Sequence, residues 1–245
     1  MSAIEKGEQR YQRFRRSHIT RFGAPPAGRL LDFGCGAGGF LIAALRNGLD
    51  VHGIEVDPQR HVEFLRNAER HEPSAKERIT LYPGRLMPYP SNHFEACHSF
   101  MVFEHVPDPQ TCLREIVRVL KPGGTLTLWA DDVRNEWDGH AQVPWPPYLP
   151  REFAAAYLDG LGLPEHAEFV TNSVVYISAP AIADILTTLG MEIVYQNEGP
   201  AKEYRLLAGI YVTNEREARE LGETVRSAAP FESPAENLTV YARKI

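Results

Sequence analysis

Residues 30–40, LLDFGCGAGGF, run from a short apolar segment directly into a glycine-rich turn. The apolar residues Leu30, Leu31 and Phe33 predict a buried strand that ends at this turn. The apolar residues after the turn recur at helical spacing, and Gly48 is a natural end for that helix. Because glycines let a ligand approach the backbone at a helix N-terminus, the stretch predicts an α/β fold that binds a nucleotide-like ligand.

The alternation of strand and helix patterns continues along the chain. Further strands are predicted at 50–57, 79–84, 94–102, 125–130, 191–198 and 237–245. Asp57 and Asp108 are each followed by proline and predict the starts of two helices, and a third helix is predicted over 178–190. Such alternation predicts a mostly parallel sheet with helices on both faces and ligands at the carboxyl ends of the strands.

Three segments lie outside this alternation, and we predict one domain over 1–245 that carries them. Residues 1–27 are predicted to be an N-terminal helical lid. Residues 133–177 are rich in Trp, Pro, Tyr and His, which is typical of an inserted substrate cap and not of a linker. Residues 200–232 are a second insertion, with a polar helix around 214–227.

Composition and charge exclude several classes of protein. Hydrophobic residues make up 43 % of the 245 residues, enough for a packed core, and no apolar run approaches the roughly 18 residues of a membrane span. The three scattered cysteines argue against a disulfide framework or a cysteine zinc site and favour a cytoplasmic location. Residues 1–29 carry a net charge of +5 and residues 30–245 carry −11, which together give the total of −6. An acidic body disfavours nucleic acid as a partner and favours a small-molecule acceptor.

The glycine turn satisfies two ligand-binding patterns. Gly34, Gly36 and Gly39 fit the dinucleotide pattern G-x-G-x-x-G, whereas Gly34, Gly36 and Gly38 fit the G-x-G-x-G turn of enzymes that bind S-adenosylmethionine (SAM). Glu55 lies 21 positions after Gly34, at the end of the second strand, where a carboxylate accepts hydrogen bonds from a ribose diol in either case. These residues alone leave the ligand undecided.

The choice follows from a longer resemblance. LLDFGCGAGGF, VHGIEVDP and above all EHVPDPQTCLREIVRVLKPGGTLTLW resemble the class I SAM-dependent methyltransferases, in particular the small-molecule group that includes ubiquinone- and menaquinone-biosynthesis enzymes. The resemblance is close over about residues 28–132. It implies a Rossmann-like, seven-stranded sheet with an antiparallel last strand, and SAM as the cofactor.

The resemblance also implies cofactor contacts. Asp32 is expected to fix the methionine end of SAM, Glu55 the ribose, and the residues after the third strand the adenine. The full expected set is Asp32, Gly34, Cys35, Gly36, Glu55, Val56, Arg85, Leu86 and Phe100. Many relatives have an acidic residue where this chain has Arg85, and arginine cannot accept the hydrogen bond of the adenine amino group.

Candidate catalytic residues follow the fourth and fifth strands. His105 is the first candidate for a general base, and Asp131 and His140 are the next. A divalent-metal site of Asp131, Asp132 and His140 with His105 is an alternative that the spacing of these residues does not indicate, so no metal is expected. The aromatic residues Tyr11, Trp137, Trp145 and Tyr148 are expected to contact the acceptor.

The predicted reaction is methyl transfer to a hydroxyl of a small polar acceptor, such as a sugar or saccharide-linked metabolite. A quinone, phenol or amine acceptor, or a tRNA bound through the basic N-terminal helix, remains an alternative. A SAM-binding regulator without catalysis is a further one, since an intact glycine turn indicates only that SAM binds.

Overall fold

The computed structural model of the chain describes residues 1–82, 84, 86–200, 202–234 and 237–245. In chain order the strands are β1 (Arg29–Phe33), β2 (Asp50–Glu55), β3 (Ile79–Leu81), β4 (Phe94–Phe100), β5 (Leu120–Ala130), β6 (Trp137–Asp138), β7 (Val143–Pro144), β8 (Met191–Gln196) and β9 (Leu238–Lys244). The helices are α1 (Ala3–Phe22), α2 (Gly39–Arg46), α3 (Pro58–His71), α4 (Pro109–Val119), α5 (Ala154–Leu161), α6 (Ala167–Ser173), α7 (Ala179–Thr188) and α8 (Glu215–Ser227).

Seven of these strands form one sheet in the order β3-β2-β1-β4-β5-β9-β8. The pairs among β1 to β5 are all parallel, and β9 runs antiparallel to both β5 and β8. The predicted mostly parallel sheet with an antiparallel last strand is therefore confirmed. Strands β1, β2, β4 and β5 end at the same edge, so the turns that follow them meet there.

Helices cover both faces of the sheet, as predicted. The helices α1, α2 and α3 pack on one face, and α4 and α7 pack on the other. The alternation of side chains along β1 explains the two layers, because Leu30 belongs to the first and Leu31 to the second. Asp57 and Asp108 cap α3 and α4 through their side chains, as the sequence predicts. Within the described part of the chain, no helix is both long and apolar enough to cross a membrane.

The N-terminal helix α1 is part of the core. It begins with a capping box, in which Glu5 N–H donates to Ser2 Oγ and Ser2 N–H donates to Glu5 Oε2. Its Phe14 is fully buried, and an added Cβ at Gly7 would lie 2.1 Å from the backbone of Gly39 at the start of α2. Because the two helices touch through glycine backbone, α1 packs directly on α2 as a layer of the domain, and the lid role expected for 1–27 stays a prediction.

The two insertions fold against each other. Helix α5 of the first insertion packs along α8 of the second, and the two backbones meet at glycines. An added Cβ at Gly160 would lie 2.2 Å from Arg219 O, and one at Gly222 would lie 2.3 Å from Tyr157 O. The apolar side chains of both segments form one core that is separate from the two layers on the sheet. We call residues 133–177 and 202–232 together the cap.

Candidate active site

The glycine turn after β1 has the geometry of the G-x-G-x-G pattern. Gly34, Gly36 and Gly38 adopt φ values of 75°, 53° and 80°, a region that favours glycine. Gly39 is helical. A side chain is excluded at this position, because an added Cβ would lie 2.3 Å from the carbonyl oxygen of Ala3 in α1. The third glycine that the turn needs for its backbone conformation is therefore Gly38, whereas Gly39 serves the packing of α1.

Glu55 ties the first turn to the second. Its Oε2 accepts a hydrogen bond from Gly36 N–H at 2.7 Å, and its Oε1 accepts from Val56 N–H at 2.7 Å and Asp57 N–H at 3.0 Å. A carboxylate has about four acceptor positions, so one remains for a ligand. Glu55 therefore both shapes the turns and keeps one acceptor position for the expected ribose contact.

Asp32 and Arg10 lie together beside the turn. Burial raises the pKa of Asp32 to about 7, although the positive charge of Arg10 acts to lower it. The oxygen Oδ2 of Asp32 is buried and accepts no hydrogen bond from the described residues. The guanidinium of Arg10 lies 4.0 Å from the ring centroid of Phe100, and burial lowers its pKa. Arg10 could not be identified as a site residue from the sequence, because its position on the buried side of α1 is visible only after folding.

The other expected cofactor residues divide into packed and accessible ones. Cys35 is buried, and burial raises the pKa of its thiol well above the usual value, so it is a small filler of the turn. Val56 and Leu86 are 61 % and 69 % exposed apolar side chains after β2 and β3, which leaves them accessible to a flat ring. Arg85 lies outside the described residues.

A cavity of about 160 Å³ opens at the carboxyl ends of β4 and β5. Asp131, Trp137, Gly139 and Met101 are among its lining residues. Met101 has φ 55°, a strained conformation for a residue with a side chain, of the kind that clusters at functional sites. Burial and, to a smaller extent, the negative charge of the neighbouring Asp138 raise the pKa of Asp131 to about 6. Of the three predicted catalytic residues, only Asp131 lines this cavity.

The two predicted catalytic histidines lie side by side. His105 follows β4 and His140 belongs to the cap, and their Nε2 atoms are 3.3 Å apart. His105 Nδ1 hydrogen-bonds to the carbonyl oxygen of Ser173 at 2.7 Å. Glu104 is 1 % exposed beside them, and burial raises the pKa of its carboxyl to about 8.

The structure places the four predicted acceptor residues in different surroundings. Trp137 lines the cavity and stacks on Tyr204 at 5.9 Å. Trp145 is 1 % exposed within the core of the cap, and Tyr11 is 4 % exposed on the buried side of α1. Tyr148 is 74 % exposed on the outer surface. Only Trp137 reaches the cavity; sequence alone cannot separate cap core from cavity wall, because both use large aromatic side chains.

Comparison with known proteins identifies the central part of the chain. Residues 31–128 match a family model described as a methyltransferase domain. This segment is a methyltransferase domain. The domain is 37 % identical over 111 residues to an uncharacterized methyltransferase of Mycobacterium leprae, a match that covers 45 % of this chain and 40 % of that protein. It is 32 % identical over 108 residues to a ubiquinone biosynthesis O-methyltransferase of Xanthomonas campestris, covering 43 % and 44 %.

The fold around the methyltransferase domain also has solved relatives. An S-adenosylmethionine-dependent methyltransferase from Mesorhizobium loti superposes with a TM-score of 0.56 at 21 % identity, covering 91 % of this chain and 95 % of that one. The predicted class I fold is therefore confirmed, and the predicted methyltransferase family is confirmed for residues 31–128. The match spans only about two fifths of the curated relatives' length, and it ends before the cap.

Residues of the methyltransferase domain, together with Arg10 of α1, fit the SAM cofactor of that family. The unpartnered buried oxygen of Asp32 suits an ammonium group, and Arg10 beside it suits a carboxylate. The glycine turn leaves its backbone open to a close approach, since among the described residues no atom beyond Gly36 and its two chain neighbours lies within 4 Å of a Cβ added at Gly36.

Proposed function

We propose that this chain transfers a methyl group from SAM to a hydroxyl of a small polar acceptor. The arrangement that carries the proposal is the Asp32–Arg10 pair beside the glycine turn, with an Asp131-lined cavity at the same sheet edge. When bound, SAM supplies a methyl group that its sulfonium already activates. The protein therefore needs to align the acceptor, exclude water and remove one proton.

In this proposal the pair at the turn holds the methionine end of the cofactor. Asp32 accepts hydrogen bonds from the ammonium through its free Oδ2, and Arg10 donates to the carboxylate from α1. Glu55 accepts from the ribose with its remaining acceptor position. Val56 and Leu86 offer exposed apolar surface to the adenine.

Asp131 is the proposed general base. It lines the cavity, and its carboxylate rests against Gly139, where an added Cβ would lie 2.3 Å from Oδ2. A carboxylate held against backbone loses little orientation before it accepts a proton from the acceptor hydroxyl. The raised pKa makes Asp131 a stronger base than a solvated aspartate.

A second, cationic cavity favours an acceptor with an anionic group. It has a volume of about 260 Å³ between α1 and the edge formed by β8 and β9, and Arg13, Arg16 and Arg21 line it. Asn237 borders both cavities. Arg13 lies 4.8 Å from the ring centroid of Trp129 and Arg21 lies 3.6 Å from that of Tyr195, so aromatic rings of the domain hold both guanidinium groups. A sugar phosphate or a similar anionic metabolite fits this pair of cavities better than an apolar quinone.

The test is a methylation assay with methyl-labelled SAM and a panel of acceptors, offered in pairs with and without a phosphate or carboxylate group. With the acceptor found, Asp131→Asn should lower kcat by about 10²–10⁴-fold and leave SAM affinity within about three-fold, since it removes only the base. Asp159→Asn, a cap carboxylate paired with Arg219, is the matched control. Normal turnover of Asp131→Asn would reject the base and favour an amine acceptor. Equal turnover of the neutral members of the panel would reject the anionic group.

A further inference from the structure

His105 and His140 approach each other through their Nε2 atoms. The hydrogen bond from His105 Nδ1 to Ser173 O requires the proton on Nδ1, since a carbonyl oxygen only accepts. The lone pair of His105 is then on Nε2, which faces His140 Nε2 at 3.3 Å.

The negative charge of Asp138 favours a proton on Nδ1 of His140 over one on Nε2. Its Nδ1 is buried and makes no hydrogen bond to the described residues, and it faces Asp138 Oδ1 at 3.9 Å. Asp138 is buried and holds the turn that carries His140, because its Oδ1 accepts from the N–H groups of His140 and Ala141. A proton on Nδ1 is favoured by this carboxylate, as in carboxylate–histidine pairs behind metal ligands. With that tautomer, both Nε2 lone pairs point at each other.

Glu104 supplies a third donor beside them. Its side chain is buried, and neither carboxyl oxygen accepts a hydrogen bond from the described residues. One ligand atom from each of Glu104, His105 and His140 lies within 4.8 Å of the others. A buried carboxylate without a partner is unfavourable, and a cation is the group that satisfies two imidazole lone pairs and a carboxylate at once.

We propose that Glu104, His105 and His140 bind a divalent first-row transition-metal ion. Two nitrogen ligands at about 2.0–2.1 Å from one tetrahedral ion lie about 3.3–3.4 Å apart, which agrees with the observed separation of the two Nε2 atoms. Two imidazoles and one carboxylate suit Zn²⁺, Mn²⁺ or Fe²⁺ better than Mg²⁺ or Ca²⁺, which prefer oxygen ligands. The site is open, because the His105 side chain is exposed, so a fourth position remains for water or an acceptor oxygen.

The site joins the sheet to the cap. Glu104 and His105 follow β4, whereas His140 comes from the turn between β6 and β7 and is adjacent to Gly139 in the cavity wall. A bound ion would therefore fix the cap over the cavity and could orient the acceptor oxygen. This last role rests on the proposed function, but the binding of the metal does not.

The experiment is calorimetric titration of the chelator-treated, full-length protein with Zn²⁺, without SAM or acceptor. We expect one ion per chain, with affinity reduced at least about 100-fold in His140→Ala and His105→Gln, because even the loss of an outer partner costs 10–100-fold. His71→Ala, an exposed histidine at the end of α3, is the matched control and should bind as the unaltered protein does.

A second measurement guards against variants that fold poorly. Co²⁺ in the unaltered protein should give the visible absorption of a tetrahedral ion, and His105→Gln, which replaces an exposed side chain, should lose it while keeping its thermal transition. Absence of stoichiometric binding, or equal binding by His105→Gln and His140→Ala, would overturn the metal site. Neither result depends on methyl transfer, so the proposed function is judged separately.

Discussion

The sheet domain and the cap bury their apolar side chains by different routes. In the sheet domain each layer is built from consecutive strand–helix units, so neighbours in space are mostly neighbours in sequence. In the cap the core combines residues 133–177 with 202–232, and α7 and β8 lie between them in the chain. This difference is in keeping with the division of labour that we propose, in which the sheet edge binds the cofactor and the cap shapes the acceptor cavity.

The largest expected effect comes from separating α5 and α8 within the cap. Gly222→Leu places a side chain where even a Cβ would lie 2.3 Å from Tyr157 O, so the helices must move apart. Overpacking of this kind costs about 1–3 kcal/mol. We expect kcat/KM to fall at least about 100-fold, since a small displacement of an aligned site is costly, with SAM affinity changed by less than about three-fold.

The control for this variant is Gly199→Ala, because Gly199 has open space around an added Cβ. Steady-state kinetics measure the change in kcat/KM, and calorimetry measures the change in SAM affinity. A parallel loss of SAM affinity in Gly222→Leu would show that cap and sheet act as one unit and would break the comparison.

A smaller effect, confined to the sheet domain, is expected from Glu55→Ala. The change removes the acceptor of three backbone N–H groups and of the ribose contact. A lost charge-assisted hydrogen bond of about 1.5–3 kcal/mol corresponds to a SAM affinity about 10–100-fold lower, and the unsatisfied backbone groups should lower the free energy of unfolding by about 1–3 kcal/mol. Calorimetry measures the SAM affinity, and urea unfolding measures the free energy of unfolding. Unchanged SAM affinity would remove Glu55 from the proposed ligand site.

The smallest effect is a pH dependence of cofactor binding through Asp32. Its pKa in the ligand-free protein is raised to about 7, so the carboxyl is increasingly protonated below that pH and cannot pair with the ammonium of SAM. SAM affinity should therefore fall as pH falls, about five-fold between pH 7 and pH 6, since the ionised fraction of a group with this pKa falls from about one half to about one tenth. Asp32→Asn should bind more weakly at pH 7.5 and lose this dependence; a variant that kept it would assign the titration to another group.

The same contrast explains what the sequence predicts well. The strands around LLDF and FEACHSF and the helix starts at Asp57 and Asp108 follow from local patterns, and the structure confirms them. The polar helix expected around 214–227 is also present as α8. Short-range features of this kind are determined by consecutive residues, so the sequence predicts them.

The missed features depend on contacts between distant segments. Nothing in residues 133–177 indicates that Gly160 meets α8, and nothing in α1 indicates that Arg10 turns towards Asp32. Trp145 and Trp137 have the same local character, yet one lies in the cap core and the other in the cavity wall. The glycine turn is an intermediate case, since its pattern allows two ligands and the match of residues 31–128 to a methyltransferase family model decides between them.

The glycine crossing of α5 and α8 has a consequence for engineering acceptor specificity. A chimera that exchanges only residues 133–177 with a related enzyme would place a foreign α5 against the native α8, at an approach that tolerates no side chain at Gly160 or Gly222. The two insertions therefore form one transplantable unit, despite the native helix and strand that separate them in the chain. Grafts intended to change the acceptor should carry both segments together and leave the sheet with its cofactor site untouched.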